Sequence, residues 1–269
     1  MTANEIEPSF TAACCIIGDE ILNGKTRESN GYFLSRFLFD MGVTLKRVEV
    51  IGDDYEAIAE TITRLSSQHD IVFTSGGIGP THDDISYDAI AKAYSLPLKL
   101  DEETCELMKA KSIARQADWK LTEPRKRMAL FPHPAKILRV HDDLWVPIVV
   151  VNENIHILPG IPRLFEMLVT SFKPYLEEAM AKKQVNGKYY RLEIATKLHE
   201  GLLAPFLTAI QESVKEKHIK IGSYPKWIAG PDGEKVVISV IGKDEASVIE
   251  VSETITKEVN GWKYVKRLQ

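Results

Sequence analysis

The sequence predicts an α/β protein with a three-layer, mostly parallel sheet and a second, smaller α/β domain. Two patterns in the first part of the chain predict this fold class. Apolar runs of strand length alternate with helices of amphipathic spacing, and the runs are almost continuously apolar, as in strands that are buried on both faces. A third observation is the polar stretch KKQVNGK at 182–188, after which the order of elements changes. We therefore expect one domain over residues 1–183 and another over 184–269.

The first domain contains six predicted strands and five predicted helices, which alternate through its first half. The strands span 10–17, 43–51, 70–75, 136–140, 146–151 and 154–158. Four of the helices span 30–41, about 84–94, 101–115 and 159–183. The fifth follows Asp53 or Asp54 and runs through Ile58, Ile62 and Leu65. In each helix the apolar residues recur three or four positions apart, so that one face can pack against the sheet.

The second domain follows a different order, with strands at 189–197, 218–223 and 235–242 and helices at 201–217 and 244–258. A βαββα order of this kind is typical of a small α/β sandwich. The stretch AGPDGE, residues 229–234, is rich in turn residues and suits a hairpin loop between the last two strands.

Composition excludes several classes of partner. The net charge of −4 provides no basic field for nucleic acid. No apolar run approaches the roughly 18 residues that a membrane span needs. The three cysteines form no disulfide framework, because their number is odd and two of them are adjacent. We therefore expect a cytoplasmic protein, with the nucleus as the alternative location.

A glycine-rich motif, FTSGGIGPTHDD at residues 73–84, joins a predicted strand to a predicted helix. Gly76, Gly77 and Gly79 then lie at the carboxyl edge of the parallel sheet, where ligands bind in folds of this class. Glycines allow a ligand to approach the backbone, and the N–H groups at a helix start favour an anion. An ordinary turn would also explain glycines after a strand. We expect Gly77 to leave space for a phosphate that a Cβ atom would fill.

Pairs of acidic residues follow three of the predicted strands. Asp19 and Glu20 come after the first strand, Asp53 and Asp54 after the second, and Asp83 and Asp84 after the third. Helix capping explains one carboxylate at each helix start, and we expect one of the last pair to cap while the other faces the cleft. Carboxylates around an anion site repel the anion unless a cation lies between them, and hard oxygen ligands suit Mg²⁺ or Mn²⁺. The pattern therefore indicates a phosphate-containing ligand bridged by a metal ion.

Three motifs carry a resemblance to a known family: GDEILNGKTRESNGYFLSRFL, VEVIGDDYEAI and DIVFTSGGIGPTHDDISYDAIA. The chain resembles the molybdopterin-binding (MoCF biosynthesis) domain family. It is most similar to the N-terminal domain of the competence-damage protein CinA and to the molybdopterin-binding-like domain of eukaryotic FAD synthases. The motifs LPGIPRLFEML and IKIGSYP extend the resemblance over roughly residues 10–260.

The resemblance implies a pyrophosphatase that splits nucleoside diphosphate compounds such as FAD and ADP-ribose. It implies a divalent metal, which is Co²⁺, Mg²⁺ or Mn²⁺, with K⁺ as an additional ion, and a homo-oligomer, either a dimer or a trimer. Asp84, Asp83, Asp53 and Lys126 match catalytic positions, and Asp84, Asp53 and Glu20 match metal positions. The substrate-binding positions that match are Gly76, Gly77, Gly79, Pro80 and Thr81, and we expect Ser75, Asn30 and Gly160 to bind substrate as well.

Two segments depart from the family pattern and leave alternatives open. Arg125 replaces the asparagine of the N-K-x-A motif, and HDDLWVPIV at 141–149 keeps only the proline of a glycine-rich pocket segment. The first alternative is a molybdopterin-binding or adenylating protein of molybdenum-cofactor assembly. The second is a non-catalytic oligomeric scaffold with an altered pocket. The absence of a nucleotidyltransferase segment from the sequence argues against FAD synthesis by this chain alone.

Overall fold

The computed structural model describes residues 9–114 and 118–265. The chain divides into two compact units, Met1–Asn186 and Gly187–Gln269, with the junction inside the polar stretch 182–188. Within the described ranges, no helix is long and apolar enough to cross a membrane.

The first unit is built on a six-stranded sheet in the order β2-β1-β3-β8-β7-β6. Its strands are β1 (Thr11–Ile17), β2 (Thr44–Ile51), β3 (Ile71–Ser75), β6 (Lys136–Leu138), β7 (Ile148–Val151) and β8 (Ile155–Leu158), and a separate antiparallel pair is formed by β4 (Leu98–Leu100) and β5 (Leu130–Pro132). Strands β2, β1, β3 and β8 are parallel, whereas β7 and β6 join antiparallel. The predicted mostly parallel sheet is confirmed.

Helices cover both faces of this sheet. They are α1 (Asp19–Leu22), α2 (Asn30–Asp40), α3 (Tyr55–Gln68), α4 (Ser86–Ala93), α5 (Glu102–Ile113), α6 (Glu123–Lys126), α7 (Pro162–Ser171) and α8 (Lys173–Lys182). Helix α2 packs with α7, and α3 packs with α4. All five residues of β3 are buried, as expected for a strand between two helical layers.

Two predicted helices begin or end elsewhere. The segment 159–183 forms two helices, because Pro174 has no N–H to continue the hydrogen-bond ladder beyond Phe172. Helix α4 begins at Ser86 and not at Asp84, so both aspartates of the 83–84 pair precede the helix. The end of the helix predicted for 101–115 lies outside the described residues, and α5 itself ends at Ile113.

The second unit confirms the predicted βαββα order and adds a short final strand. Its elements are β9 (Tyr190–Thr196), α9 (Glu200–Ser213), β10 (Lys220–Pro225), β11 (Val236–Gly242), α10 (Glu245–Glu258) and β12 (Trp262–Lys263). The sheet is antiparallel in the order β10-β11-β9-β12. Its core brings together side chains from both helices and from β9 and β11, among them Leu203, Ile255, Ile194 and Ile238.

Candidate functional site

The loop after β3 owes its shape to two glycines. Gly76 and Gly77 have positive φ angles of +113° and +66°. A Cβ atom on Gly76 would lie 2.0 Å from the Ile17 carbonyl oxygen, and one on Gly77 would lie 2.3 Å from Ser86 Oγ. Ser86, the first residue of α4, holds the loop through two hydrogen bonds. Its Oγ donates to the Gly76 carbonyl oxygen at 2.8 Å, and its N–H donates to the Gly77 carbonyl oxygen at 2.9 Å. Backbone conformation therefore requires both glycines, whether or not a ligand binds.

Asp53 lies beside this loop at the carboxyl edge of the sheet. A Cβ atom on Gly77 would be 3.4 Å from Asp53 Oδ1. The other carboxylate oxygen of Asp53 accepts a hydrogen bond from the Asp19 N–H at 3.0 Å, and the Asp53 N–H donates to Asp19 Oδ1 at 3.4 Å. The ends of β1, β2 and β3 thus bring Asp19, Asp53 and Gly77 together, as the parallel order predicts.

The environment of Asp53 favours its protonated form. Burial is the largest cause that raises the pKa of this carboxyl, and the negative charges of Asp19, Glu20 and Asp83 act in the same direction. The hydrogen bond from the Asp19 N–H opposes them. A carboxylate with a raised pKa accepts a proton more readily near neutral pH, which is a property of general bases.

Asp84 is held by a turn that precedes α4. Its Oδ2 accepts hydrogen bonds from the Thr81 N–H at 2.9 Å and from the Thr81 hydroxyl at 2.5 Å. A Cβ atom on Gly79 would lie 2.5 Å from the same oxygen, so the glycine leaves room for the Asp84 carboxylate. Neither Asp83 nor Asp84 caps α4, because Ile85 occupies the N-cap position without a side-chain hydrogen bond. The predicted cap is therefore wrong.

Two carboxylates that follow the loop, the candidate Asp83 and Asp88 on α4, differ in environment from Asp53. Hydrogen bonding at the Thr81 side chain, aided by nearby positive charge, lowers the pKa of Asp83. Asp88 accepts hydrogen bonds from the Tyr55 hydroxyl and from Lys92 Nζ, each at 2.7 Å, so it is engaged in structural contacts. Of these three carboxylates, Asp53 has the pKa best suited to accept a proton.

Asn30, Ser75 and Gly160 form a buried junction behind the loop. The amide Nδ2 of Asn30 donates to Ser75 Oγ and to the Gly160 carbonyl oxygen, both at 2.8 Å. Asn30 is 5% exposed and Ser75 is 1% exposed. A Cβ atom on Gly160 would lie 3.1 Å from Gly76 Cα. These residues join α2, β3 and the segment after β8, and their burial favours a role in positioning the loop over direct contact with a ligand.

A groove of about 570 Å³ lies next to the loop, and we call it the Arg127 groove. It is lined by Pro80, Leu100, Glu123, Pro124, Lys126, Arg127 and Leu130. Lys126 Nζ forms an ion pair with Glu123 at 2.7 Å. Arg127 donates to the Asp84 carbonyl oxygen at 3.1 Å, which attaches the groove to the Thr81–Asp84 turn.

The carboxylates at the loop do not form a metal site made of protein side chains alone. In the ranges 9–114 and 118–265, no group of three His, Cys, Asp or Glu side chains could hold a metal ion by itself. Mg²⁺ is commonly bound by one or two carboxylates, with substrate phosphates and water as the other ligands. The carboxylates of Asp53 and Asp84 both lie beside the glycine loop, that of Asp53 near Gly77 and that of Asp84 near Gly79. Glu20, the third predicted ligand, contributes its charge to the environment of Asp53.

Comparison with known proteins assigns the chain to a family. The sequence model described as "Probable molybdopterin binding domain" matches residues 13–178. The chain belongs to this family. A second model, "FAD synthase, middle domain", matches residues 188–267. Together the two models span the first and second units, and the resemblance inferred from the motifs is confirmed.

Relatives in the family include archaeal and animal proteins. A protein of Pyrococcus abyssi is 33% identical over 88% of this chain and 92% of its own length. The "Probable FAD synthase" of Caenorhabditis elegans is 28% identical over 80% of this chain, and the match spans only 44% of that enzyme. The crystal structure of the protein CinA from Thermoplasma acidophilum superimposes with a TM-score of 0.56 at 29% identity, covering 63% of this chain and 99% of that one.

Three residues at the site were missed as functional candidates by sequence reasoning. Asp19 belongs to one of the acidic pairs, but its position in the sequence does not indicate a role at the site, although its N–H donates a hydrogen bond to Asp53. Ser86 looks like an ordinary first residue of a helix, and no local signal indicates its bond to Gly76. Arg127 stands in the basic run RKR, which is typical of a solvated surface. Its contact with Asp84 spans 43 positions and is visible only in the folded chain.

Proposed function

We propose that the chain is a metal-dependent hydrolase of nucleoside diphosphate compounds, which cleaves FAD to FMN and AMP or splits ADP-ribose in the same way. The observation that carries the proposal is the carboxylate of Asp53, whose pKa is raised and which lies beside Gly77 at the carboxyl edge. The relationship to a probable FAD synthase and the match to an FAD synthase middle domain support chemistry on FAD-related nucleotides.

In this proposal each residue has a defined task. Asp53 accepts a proton from the attacking water, whose oxygen bonds to one phosphorus while the bridging P–O bond breaks and its electron pair leaves with the other phosphate. The N–H groups of residues 77–79 hold one phosphate. Lys126 offsets charge on the leaving phosphate. Asp53 and Asp84 would hold a divalent ion, Co²⁺, Mg²⁺ or Mn²⁺, with K⁺ as an additional ion, and the divalent ion would neutralise the charge of the diphosphate.

Adjacent aspartates provide a matched test of this function. Asp53→Asn removes the charge and the proton acceptor, so FAD hydrolysis falls by at least about tenfold, or about 1.4 kcal/mol of transition-state stabilisation. Asp54→Asn is the control, since Asp54 Oδ1 caps α3 by accepting from the Ala57 N–H and asparagine caps equally well. The measurement is chromatographic detection of FMN and AMP with each metal and with excess chelator. Equal activity of Asp53→Asn and wild type, or full activity in chelator, contradicts the proposal.

A second candidate function is binding or adenylation of molybdopterin, favoured by the family match over residues 13–178. The same loop and carboxylates would serve it. Incubation with FAD, with ADP-ribose, and with molybdopterin plus ATP separates the two functions by their products. We further propose that the working form is a homo-oligomer, either a dimer or a trimer.

A further inference from the structure

The Arg127 groove contains one cationic side chain whose charge is not balanced by a direct ion pair. The neighbouring Lys126 is paired with Glu123 at 2.7 Å, so its ammonium group already has a carboxylate partner. Arg127 donates one N–H to a neutral acceptor, the carbonyl oxygen of Asp84. Across the described ranges 9–114 and 118–265, Arg127 forms no direct ion pair, although its charge acts on the carboxylates of Asp83 and Asp88. It is also exposed to solvent.

The guanidinium group is suited to a phosphate at this position. It carries five N–H donors in a rigid plane, and the bond to Asp84 uses one of them. The remaining donors can meet two oxygens of a phosphate in one plane, whereas an ammonium group has no such planar fork. Because the bond to Asp84 holds the side chain against the Thr81–Asp84 turn, a phosphate bound by Arg127 lies next to the proposed reaction site.

The walls of the groove are suited to a ring system. Pro80, Leu100, Pro124 and Leu130 present apolar surface, while the charged groups belong to Glu123, Lys126 and Arg127. Ligand pockets are typically about 300–1,000 Å³ in volume, with mostly apolar walls and a few polar groups that fix orientation. The groove volume of about 570 Å³ falls within that range.

We propose that Arg127 binds a substrate phosphate and that the Arg127 groove holds the base of the attached nucleoside. The inference rests on the proposed hydrolase function and names the part of the substrate that this side of the site recognises. In this arrangement Asp53 and Gly77 face the bond that breaks, Arg127 holds a phosphate, and the apolar walls of the groove select nucleoside phosphates over simpler phosphate esters.

Binding of AMP to the full chain, measured by titration calorimetry, tests the role of Arg127. Arg127→Gln weakens AMP binding by at least about tenfold, the loss expected when a charge-assisted phosphate contact is removed. Arg127→Lys has intermediate affinity, because lysine keeps the charge but not the planar fork. The matched control is Arg125→Gln. Arg125 bears the same charge two positions away, but it bonds to the Lys120 carbonyl oxygen and stacks on Trp119, so AMP affinity is unchanged.

A comparison of ligands tests the role of the apolar walls without any substitution. Wild-type protein binds AMP at least about tenfold more tightly than ribose 5-phosphate, because only AMP places an apolar ring in the groove. Equal affinity for the two ligands, undetectable AMP binding at millimolar concentration, or an Arg127→Gln variant that binds like wild type overturns the inference.

The outcomes also separate this inference from the proposed hydrolase function. If AMP binds through Arg127 but FAD and ADP-ribose are not cleaved, the nucleotide site stands and the hydrolase proposal falls. If FAD is cleaved by wild type and Arg127→Gln has an unchanged KM, the hydrolase proposal stands and the inference about Arg127 falls. Thermal melting of each variant confirms that the comparison is made between folded proteins.

Discussion

At the scale of single residues, the glycines of the 76–79 loop are needed for different structural reasons. Gly76 and Gly77 have backbone angles that favour glycine, and a side chain at either would collide with Ile17 or Ser86. Gly79 has no such backbone angle, and the atoms nearest to its Cβ would be those of the Asp84 carboxylate. The backbone conformation alone therefore explains why residue 77 is glycine, and the expected space for a phosphate is not needed to explain it.

This difference predicts opposite results for two alanine substitutions. Gly77→Ala lowers the melting temperature, because the left-handed conformation costs alanine about 1–2 kcal/mol and the Ser86 contact adds to it. Gly79→Ala keeps the fold but lowers FAD hydrolysis, since the new methyl group displaces the Asp84 carboxylate from Thr81. The measurements are a thermal melt and a hydrolysis rate for each variant. A Gly77→Ala protein with wild-type stability, or a fully active Gly79→Ala protein, would refute this explanation.

At the scale of elements, the sheet of the first unit meets α8 through a buried histidine. His156 on β8 lies between the ring of Phe73 on β3, at 5.7 Å, and that of Phe172, which precedes α8, at 4.9 Å. The Asn154 carbonyl oxygen can only accept, so His156 Nδ1 carries a proton and donates to it at 3.0 Å. Burial is the main cause that lowers the pKa of His156 to about 4, and the positive charge of Lys136 is a smaller one.

The lowered pKa of His156 predicts an acid-sensitive contribution to stability. An unfolded histidine takes up a proton near pH 6.5, whereas folded His156 does so only near pH 4. The contribution of His156 to the free energy of unfolding is therefore largest above pH 6.5. It falls by about 3 kcal/mol as the pH drops from 6.5 to 4, and it is constant below that. His156→Gln keeps an N–H donor for Asn154 and does not titrate. Urea unfolding at pH 7 and pH 4.5 compares the two proteins, and equal pH dependence would disprove the assignment.

At the scale of the whole molecule, each unit has a hydrophobic core of its own. The core of the first unit includes Phe73, Phe165 and Ile58, and that of the second includes Ile194, Ile238 and Ile255. The match of separate sequence models to residues 13–178 and 188–267 agrees with this division. A unit with its own hydrophobic core has what independent folding requires.

Separate cores predict that residues 187–269 fold without the first unit. The isolated fragment gives a dispersed amide NMR spectrum and a single cooperative thermal transition, and Ile238→Ala lowers the stability of that fragment by about 2–5 kcal/mol, the cost of truncating a fully buried isoleucine. A collapsed spectrum from the wild-type fragment would show that the second unit depends on the first.

Local patterns were enough to determine much of this protein. Apolar runs such as residues 10–17 and 70–75, separated by helical spacing, predicted the parallel sheet and its covered faces. The order of those strands then placed Asp53 and the glycine loop at one edge. The break at Pro174 was missed, because the helical spacing of 159–183 continues through it, although proline lacks the N–H that a continuous helix needs there. Such features depend on chemistry within a few positions of the chain.

Contacts between distant residues were decided by the tertiary structure alone. Asn30 bonds to Ser75, 45 positions away, and to Gly160, 130 positions away, while Arg127 reaches Asp84 across 43 positions. The raised pKa of Asp53 likewise depends on burial and on charges from two other strand ends. Amphipathic spacing determines which face of an element is buried, but it does not determine which side chain on another element each polar group meets. That choice follows from the packing of whole helices and strands, which is why sequence patterns located the edge of the sheet while the folded chain assigned its hydrogen bonds.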